Sequence, residues 1–202
     1  MQYSAGTKAS KKIKVQVELY NMIPNLVWSL LSLIPVGYFC YTLMPPKLVY
    51  IFLVISLVGY VLPLSFYNAI QIKNLNFLRK TGVPIAQKYA QNGTVINRAI
   101  KKKFPEYKLL YNKRTIESQY RKTYFFEKFH FAMLLFFLLT AMFALVQSYY
   151  VWALIIMIAN IIYNIYPILL QHYTRLRIKL LLKRKHEWSF LKSIQLHFLS
   201  WL

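Results

Sequence analysis

Apolar residues gather in four runs, at 24–43, 48–70, 129–146 and 150–170. Each is close to the roughly 20 residues that a helix needs to cross a bilayer. Pro35 and Gly37 interrupt the first run and Pro63 the second. Such breakers are tolerated in a spanning helix when neighbours satisfy the freed backbone groups. The third run starts in a polar cluster, so its helix should begin before Phe129. The connections at 44–47 and 147–149 are short and favour antiparallel neighbours. The pattern predicts one all-α polytopic membrane domain, with four transmembrane helices in two antiparallel hairpins and interfacial cytoplasmic helices. The hairpins cover 24–70 and 123–177.

The segments between the runs carry their own signals. The loop at 71–122 is too long for a plain connector. Residues 73–80 continue the second span, and Gly82-Val-Pro84 breaks it. Residues 94–104 form a short amphipathic pattern, with Val95, Ile96, Ala99, Ile100 and Phe104 on one side and Arg98 and Lys101 to Lys103 around it. Pro105 ends it, and Tyr107, Leu109, Leu110 and Tyr111 add interfacial bulk. Basic residues mixed with aromatics at a bilayer surface suit anionic headgroups. The tail at 178–202 repeats Trp188, Leu191, Ile194, Phe198 and Trp201 at near-helical spacing. It holds no apolar run long enough to span, so it reads as an interfacial helix.

Charge orients these pieces. The chain has 202 residues, is 57% hydrophobic and carries a formal net charge of +21. That charge alone would suggest nucleic acid, but its separation from the apolar runs excludes that class. Of 26 Lys and Arg residues, only Lys47 falls on the far side. By the positive-inside rule both termini (1–23 and 178–202) and the basic loop lie in the cytoplasm. No cleavable signal is expected, because the first apolar run is too long. The single cysteine, Cys40, supports no disulfide framework and reads as a small buried hydrophobe. Asn92-Gly-Thr94 matches a glycosylation acceptor, but its cytoplasmic position makes it a turn.

Candidate chemistry lies in the second hairpin. On a helix at about 100° per residue, Asn160, Asn164, Pro167, Gln171 and Arg175 fall within roughly an 80° sector. Amides and an arginine at membrane depth are costly unless they face protein, water or a ligand. Among only five acidic residues, Glu127 sits where the third run enters the membrane, and Thr123, Glu127 and His130 share a face. In an antiparallel hairpin turning near 148–149, position 127 is level with about 170 and position 130 with about 167. Glu127, His130, Asn164 and Gln171 should then line one pocket, with Arg175 and Arg177 at its mouth. A Glu–His pair makes a general base or acid. It could deprotonate a sugar hydroxyl for acyl transfer, the amides could stabilise an oxyanion, and the arginines could hold donor phosphate or a headgroup.

Plainer roles compete. The Glu–His pair could only stabilise a helix start, the amides could only join helices by hydrogen bonds, and the arginines could only flank a span. It is the convergence of the three that favours a site. Metal binding is the weaker expectation: His130, Glu127 and His172 are the only obvious ligands, and His172 lies off the Asn164–Gln171 stripe.

These residues resemble the glycosyl-4,4'-diaponeurosporenoate acyltransferase family of bacterial carotenoid biosynthesis. That family has a Glu-x-x-His-Trp motif early in a late span and an Asn…Pro…Gln-Arg-Tyr-Asn-Arg-x-Arg motif ending the next. Here Glu127, His130, Asn164, Pro167, Gln171, Tyr173, Arg175 and Arg177 match, while Phe131, His172 and Thr174 depart. The resemblance covers roughly the C-terminal half. It implies a bacterial inner-membrane acyltransferase acting on the sugar of a glycosylated carotenoid. Glu127 and His130 would be catalytic, and Asn164, Gln171, Tyr173, Arg175 and Arg177 would bind substrate. No tightly bound cofactor or metal is expected, and the donor would be an acyl-CoA or acyl carrier protein. Membrane lipids with anionic headgroups are the expected partners, with a membrane-protein partner as a further possibility. One rival is a non-catalytic subunit whose polar stripe packs on a partner helix. Another is an isoprenoid-type methyltransferase or reductase, for which no glycine-rich nucleotide fingerprint is present.

Overall fold

The computed structural model describes the backbone of residues 8–91, 93–105 and 113–199, and side chains within 15–91, 93–105 and 116–183. Asn92, Tyr107 to Tyr111 and the aromatic side chains of the tail lie outside the described residues. Every regular element among the described residues is a helix, with no strand. The helices are α1 (Lys8–Leu43), α2 (Pro46–Val61), α3 (Leu64–Ala69), α4 (Leu75–Lys80), α5 (Val83–Tyr89), α6 (Thr94–Lys103), α7 (Lys113–Val146), α8 (Tyr150–Asn160) and α9 (Tyr166–Leu199). A π-helical turn, Ile161–Ile165, joins α8 to α9.

Three helical segments are long and apolar enough to cross a membrane: Val15–Leu43, Ile116–Val146 and Tyr150–Lys183. Pro46–Val61 is a shorter apolar helix of 16 residues. At 1.5 Å per residue it is about 24 Å long, against about 30 Å of bilayer hydrocarbon. The second apolar run is therefore not one helix. Proline has no N–H and forces the residue before it out of the helical region. Accordingly Leu62 is extended, with ψ at 144°, and Pro63 starts α3 afresh. In α1, by contrast, the helix runs unbroken through Pro24 and Pro35. The third run does begin early, at Lys113. The tail is not a separate helix, because α9 continues without a break to Leu199.

Helix α7 is the hub. It packs along α2 on one side and along α8, the π turn and α9 on the other. Small residues allow close approach, as expected where packing rather than water drives helix association. Ala141, Ala144, Ala153 and Ala159 lie in the main core, with Phe39, Phe136, Phe137 and Ile156. A Cβ on Gly59 of α2 would come within 3.0 Å of the Phe131 ring on α7. The outward faces stay apolar, with Leu31, Ile34, Val54, Val58, Val151 and Leu154 exposed. A bilayer would cover such faces.

The long loop folds into α4, α5 and α6 as its length implies, but residues 73–80 do not continue the second span: non-helical residues 70–74 separate α3 from α4. Asn74 caps α4 by accepting from the Phe77 amide at 3.0 Å. Gly82 makes the break with φ at +78°, a conformation that favours glycine. Leu78 and Val83 then pack against Tyr173 of α9, with Ile72, Leu75 and Leu176 around them. This clamps the loop onto the end of the second hairpin, beside Glu127.

Candidate functional site

Glu127, on α7, is completely buried. An ionised carboxylate in that position needs partners for both oxygens. Oε1 meets Nε2 of His172 at 2.6 Å. Oε2 accepts from Nη2 of Arg175, which is also completely buried. The Arg175 guanidinium stacks on the Tyr124 ring at 4.0 Å from its centroid, one turn along α7 from Glu127. Tyr124 in turn donates to Asn68 Oδ1 at 2.6 Å.

The second nitrogen of His172 fixes its protonation. Nδ1 accepts the backbone N–H of Ile72 at 3.3 Å. A nitrogen that accepts holds no proton, so the ring carries its proton on Nε2 and donates it to Glu127. His172 is therefore neutral, and both its nitrogens are committed. It ties the loop at Ile72 to Glu127 and has no lone pair left for a metal.

His130 stands apart from that cluster. Glu127 does not support it, contrary to the expected Glu–His pair, because both carboxylate oxygens face α9. The His130 ring instead lies edge-on to Tyr163, 5.5 Å between centroids, and within reach of the Asn164 side chain and the Tyr163 backbone. Its Nδ1 is enclosed and has no hydrogen-bond partner among the described residues. Tyr163 is held from the other side by Phe137, stacked at 6.2 Å, and by Ser29 of α1 at 3.1 Å.

A relay orients Asn164. Asn160 Nδ2 donates to the Leu134 carbonyl at 3.2 Å, and Asn164 Nδ2 donates to Asn160 Oδ1 at 2.8 Å. A carbonyl only accepts, so both amides are fixed by this chain. Asn164 Oδ1 is buried, with no close hydrogen bond among the described residues and the His130 ring within reach. Among the described residues, Nε and Nη1 of Arg175, beside Tyr124, and Nε2 of Gln71, the neighbour of Ile72, are also buried without a close partner. Such atoms are uncommon in folded proteins, and those on His130, Asn164 and Arg175 lie on the packed segments α7, the π turn and α9.

The other expected site residues fall elsewhere. Arg175 is at the centre rather than the mouth. Arg177 is exposed, bonded to Gln87 Oε1 at 3.4 Å and poised 5.6 Å over the Tyr173 ring. Tyr173 packs with Leu78 and Val83. Gln171 and Pro167 are half-buried beside the stripe. The buried stripe is Asn160, Asn164, Ile168, His172 and Arg175.

The π turn explains the change of face. It holds about one more residue per turn than an α-helix, so every later residue is rotated back by roughly one position. Ile168 and His172 thus take the places assigned to Pro167 and Gln171 by an unbroken helix. The visible cue is Pro167. Proline denies the Tyr163 carbonyl its usual i+4 donor and crowds it, which a widened turn relieves. That is also the backbone unit that approaches His130. Sequence reasoning set His172 off the stripe, as a weak metal-ligand candidate, and missed Gln71, Tyr124 and Tyr163. Reading Pro167 as a register shift would have found His172, whereas nothing in the sequence ties Gln71 or Tyr124 to Glu127.

A family model described as glycosyl-4,4'-diaponeurosporenoate acyltransferase matches residues 63–184. The match spans more than half of the chain and every residue from Gln71 to Arg177, and the chain belongs to that family. No curated protein and no solved structure matches it.

Proposed function

We propose that this member of the glycosyl-4,4'-diaponeurosporenoate acyltransferase family transfers an acyl group to a hydroxyl of a glycosylated carotenoid or related lipid, at the cytoplasmic edge of the bacterial inner membrane. The observation that carries the proposal is the set of unpartnered buried polar atoms around Glu127, on His130, Asn164, Arg175 and Gln71. Enclosed groups of both polarities beside a free imidazole nitrogen are what acyl transfer to a hydroxyl needs. His130 is the general base. Glu127 and His172 are positioning residues: they hold Arg175 and dock the loop. Asn164 Oδ1, an acceptor, suits a neighbouring hydroxyl of the same sugar. Arg177, exposed and cationic, suits the phosphate of an acyl-CoA or acyl carrier protein, or an anionic headgroup.

The topology proposed with this function has four spans. Helices α2 and α3 together act as the second, and the charge split sets both termini inside. Basic α6 and the α4–α5 unit then lie at the inner surface, where they contact lipid headgroups.

Membrane-subunit function is less favoured. The polar stripe that a partner helix would need is turned onto α7, where Asn160, His172 and Arg175 find their partners within the chain.

The test is gain of product. Cells making a glycosylated carotenoid would be compared with and without this chain by mass spectrometry of extracted pigments and lipids. A new ester, heavier than its precursor by one fatty acyl group, is expected only with the chain. An identical profile in both would overturn the assignment.

A further inference from the structure

Among the described residues, the enclosed nitrogen of His130 faces acceptors only. Asn164 donates its amide nitrogen to Asn160 Oδ1 at 2.8 Å, so the atom it turns toward the imidazole is Oδ1. Asn160 Nδ2 donates to the Leu134 carbonyl at 3.2 Å, which stops either amide from turning over. The Tyr163 backbone carbonyl, deprived of its usual donor by Pro167, approaches the same ring. Asn164 therefore does not serve an oxyanion, the role expected of an amide on this face. Neither His130 Nδ1 nor Asn164 Oδ1 has a close hydrogen bond among the described residues, and each is within reach of the other.

A bare ring nitrogen set against two oxygens would press lone pair on lone pair, whereas an N–H there donates. In a neutral imidazole one nitrogen carries the proton and the other the lone pair. The proton of His130 therefore belongs on Nδ1 and the lone pair on Nε2. Nδ1 is the enclosed edge of a residue that is only half-buried. Tyr163, edge-on at 5.5 Å, keeps the ring from turning over, and is itself stacked on Phe137 and bonded to Ser29 at 3.1 Å. His172 is the opposite case, with Nδ1 bare and Nε2 protonated.

We propose that Asn164, oriented by Asn160, sets the tautomer of His130 and makes Nε2 the basic atom of the site. This rests on the acyltransferase function proposed above. Glu127 cannot orient this imidazole, because its oxygens are committed to His172 and Arg175, and an amide carbonyl does so instead. As the sugar hydroxyl oxygen bonds to the carbonyl carbon of an acyl thioester, its proton passes to Nε2 and the carbonyl π pair moves onto its oxygen. The ring is then an imidazolium. Its Nδ1–H donates more strongly to Asn164 Oδ1 and the Tyr163 carbonyl, which stabilises the charge as it forms. The π pair returns as the carbon–sulfur bond breaks, and the departing thiolate takes the proton from Nε2. The products are an ester and a free thiol. Asn160 touches no reacting atom and is a positioning residue.

The experiment is ¹⁵N NMR of the full-length, histidine-labelled protein in nanodiscs, where protonated and bare ring nitrogens resonate far apart. Signals are assigned by their loss in His130→Gln and His172→Gln. In wild type, His130 should carry its proton on Nδ1 and His172 on Nε2. Asn160→Leu frees the Asn164 amide to turn, so His130 should become a mixture of both tautomers. Its kcat for ester formation should then fall about 10²-fold, with KM within about twofold of wild type. Asn160→Asp keeps an acceptor oxygen for Asn164 and should hold kcat within about tenfold of wild type. A bare Nδ1 on wild-type His130 would overturn the tautomer assignment and leave acyl transfer standing. Unchanged kcat in Asn160→Leu, or equal loss in both Asn160 variants, would overturn the relay. Should Asn160→Leu fail to fold, the wild-type spectrum decides alone. Absence of ester with wild type would overturn acyl transfer, and with it the role of Nε2, whatever the tautomer.

Discussion

Glu127 is bonded to His172, 45 residues further along the chain, at 2.6 Å, although His130 lies only one turn away on its own helix. Through His172 the carboxylate also anchors the Ile72 amide, and through its other oxygen it holds Arg175. One buried acid therefore joins α7, α9 and the loop between the hairpins.

Glu127→Gln leaves the buried Arg175 without a counter-charge and should lower stability by about 3–5 kcal/mol. Replacing both partners with apolar residues, as in Glu127→Leu with Arg175→Met, should cost markedly less, because no charge is then stranded. Thermal unfolding of the purified variants in one detergent measures the difference. A double variant no more stable than Glu127→Gln would contradict the pairing.

The two histidines should separate by assay. His172→Ala removes a partner from both Glu127 and the Ile72 amide and should cost about 1–3 kcal/mol for each group left unsatisfied. His130→Ala strands no bonded partner and loses only the packing of its ring against Tyr163, so it should cost less than His172→Ala. Equal destabilisation by both variants would contradict the assignment of His172 as the structural histidine.

Much of this was legible in the amino-acid order. The apolar runs and the short turn at Ser148 define the second hairpin. Depth matching set Glu127 level with about position 170, and its partners are at 172 and 175. The amphipathic pattern from Thr94 is a helix ending at Lys103. What failed was the assumption of an unbroken 100° rotation past Asn160. A single π turn moved His172 inward and left Gln171 beside the stripe. The burial of Arg175 was also hidden. Its basic surroundings suggest a flanking charge, and only the tertiary contact with Glu127 draws it in.

The π turn itself can be tested by deletion. Ile162 is 42% exposed within it and makes no part of the stripe. Removing Ile162 should convert the turn to α-helix while keeping His172 and Arg175 facing α7, because one residue is the excess that the wider turn absorbs. Product formation should persist within about tenfold, a change of 1.4 kcal/mol in the barrier. Deleting Leu154 from regular α8 rotates the stripe away from α7 and should abolish product. Equal loss in both deletions would contradict the register argument.

The proposed orientation rests on the charge split, which leaves one lysine among 26 basic residues on the far side. A cysteine introduced at Lys102 should react with an impermeant maleimide only after the cells are opened, and one at Ser148 should react in intact cells. Labelling of position 102 from outside would reverse the topology and put the site at the opposite surface.

Transfer itself is the most direct measurement. Membranes bearing wild type or His130→Ala, matched for protein, would be given radiolabelled acyl-CoA and a glycosylated carotenoid. Label should appear in the carotenoid ester with wild type and fall by about 10²–10⁴-fold with His130→Ala, the usual loss for a general base. Undiminished ester formation by the variant would contradict acyl transfer through His130.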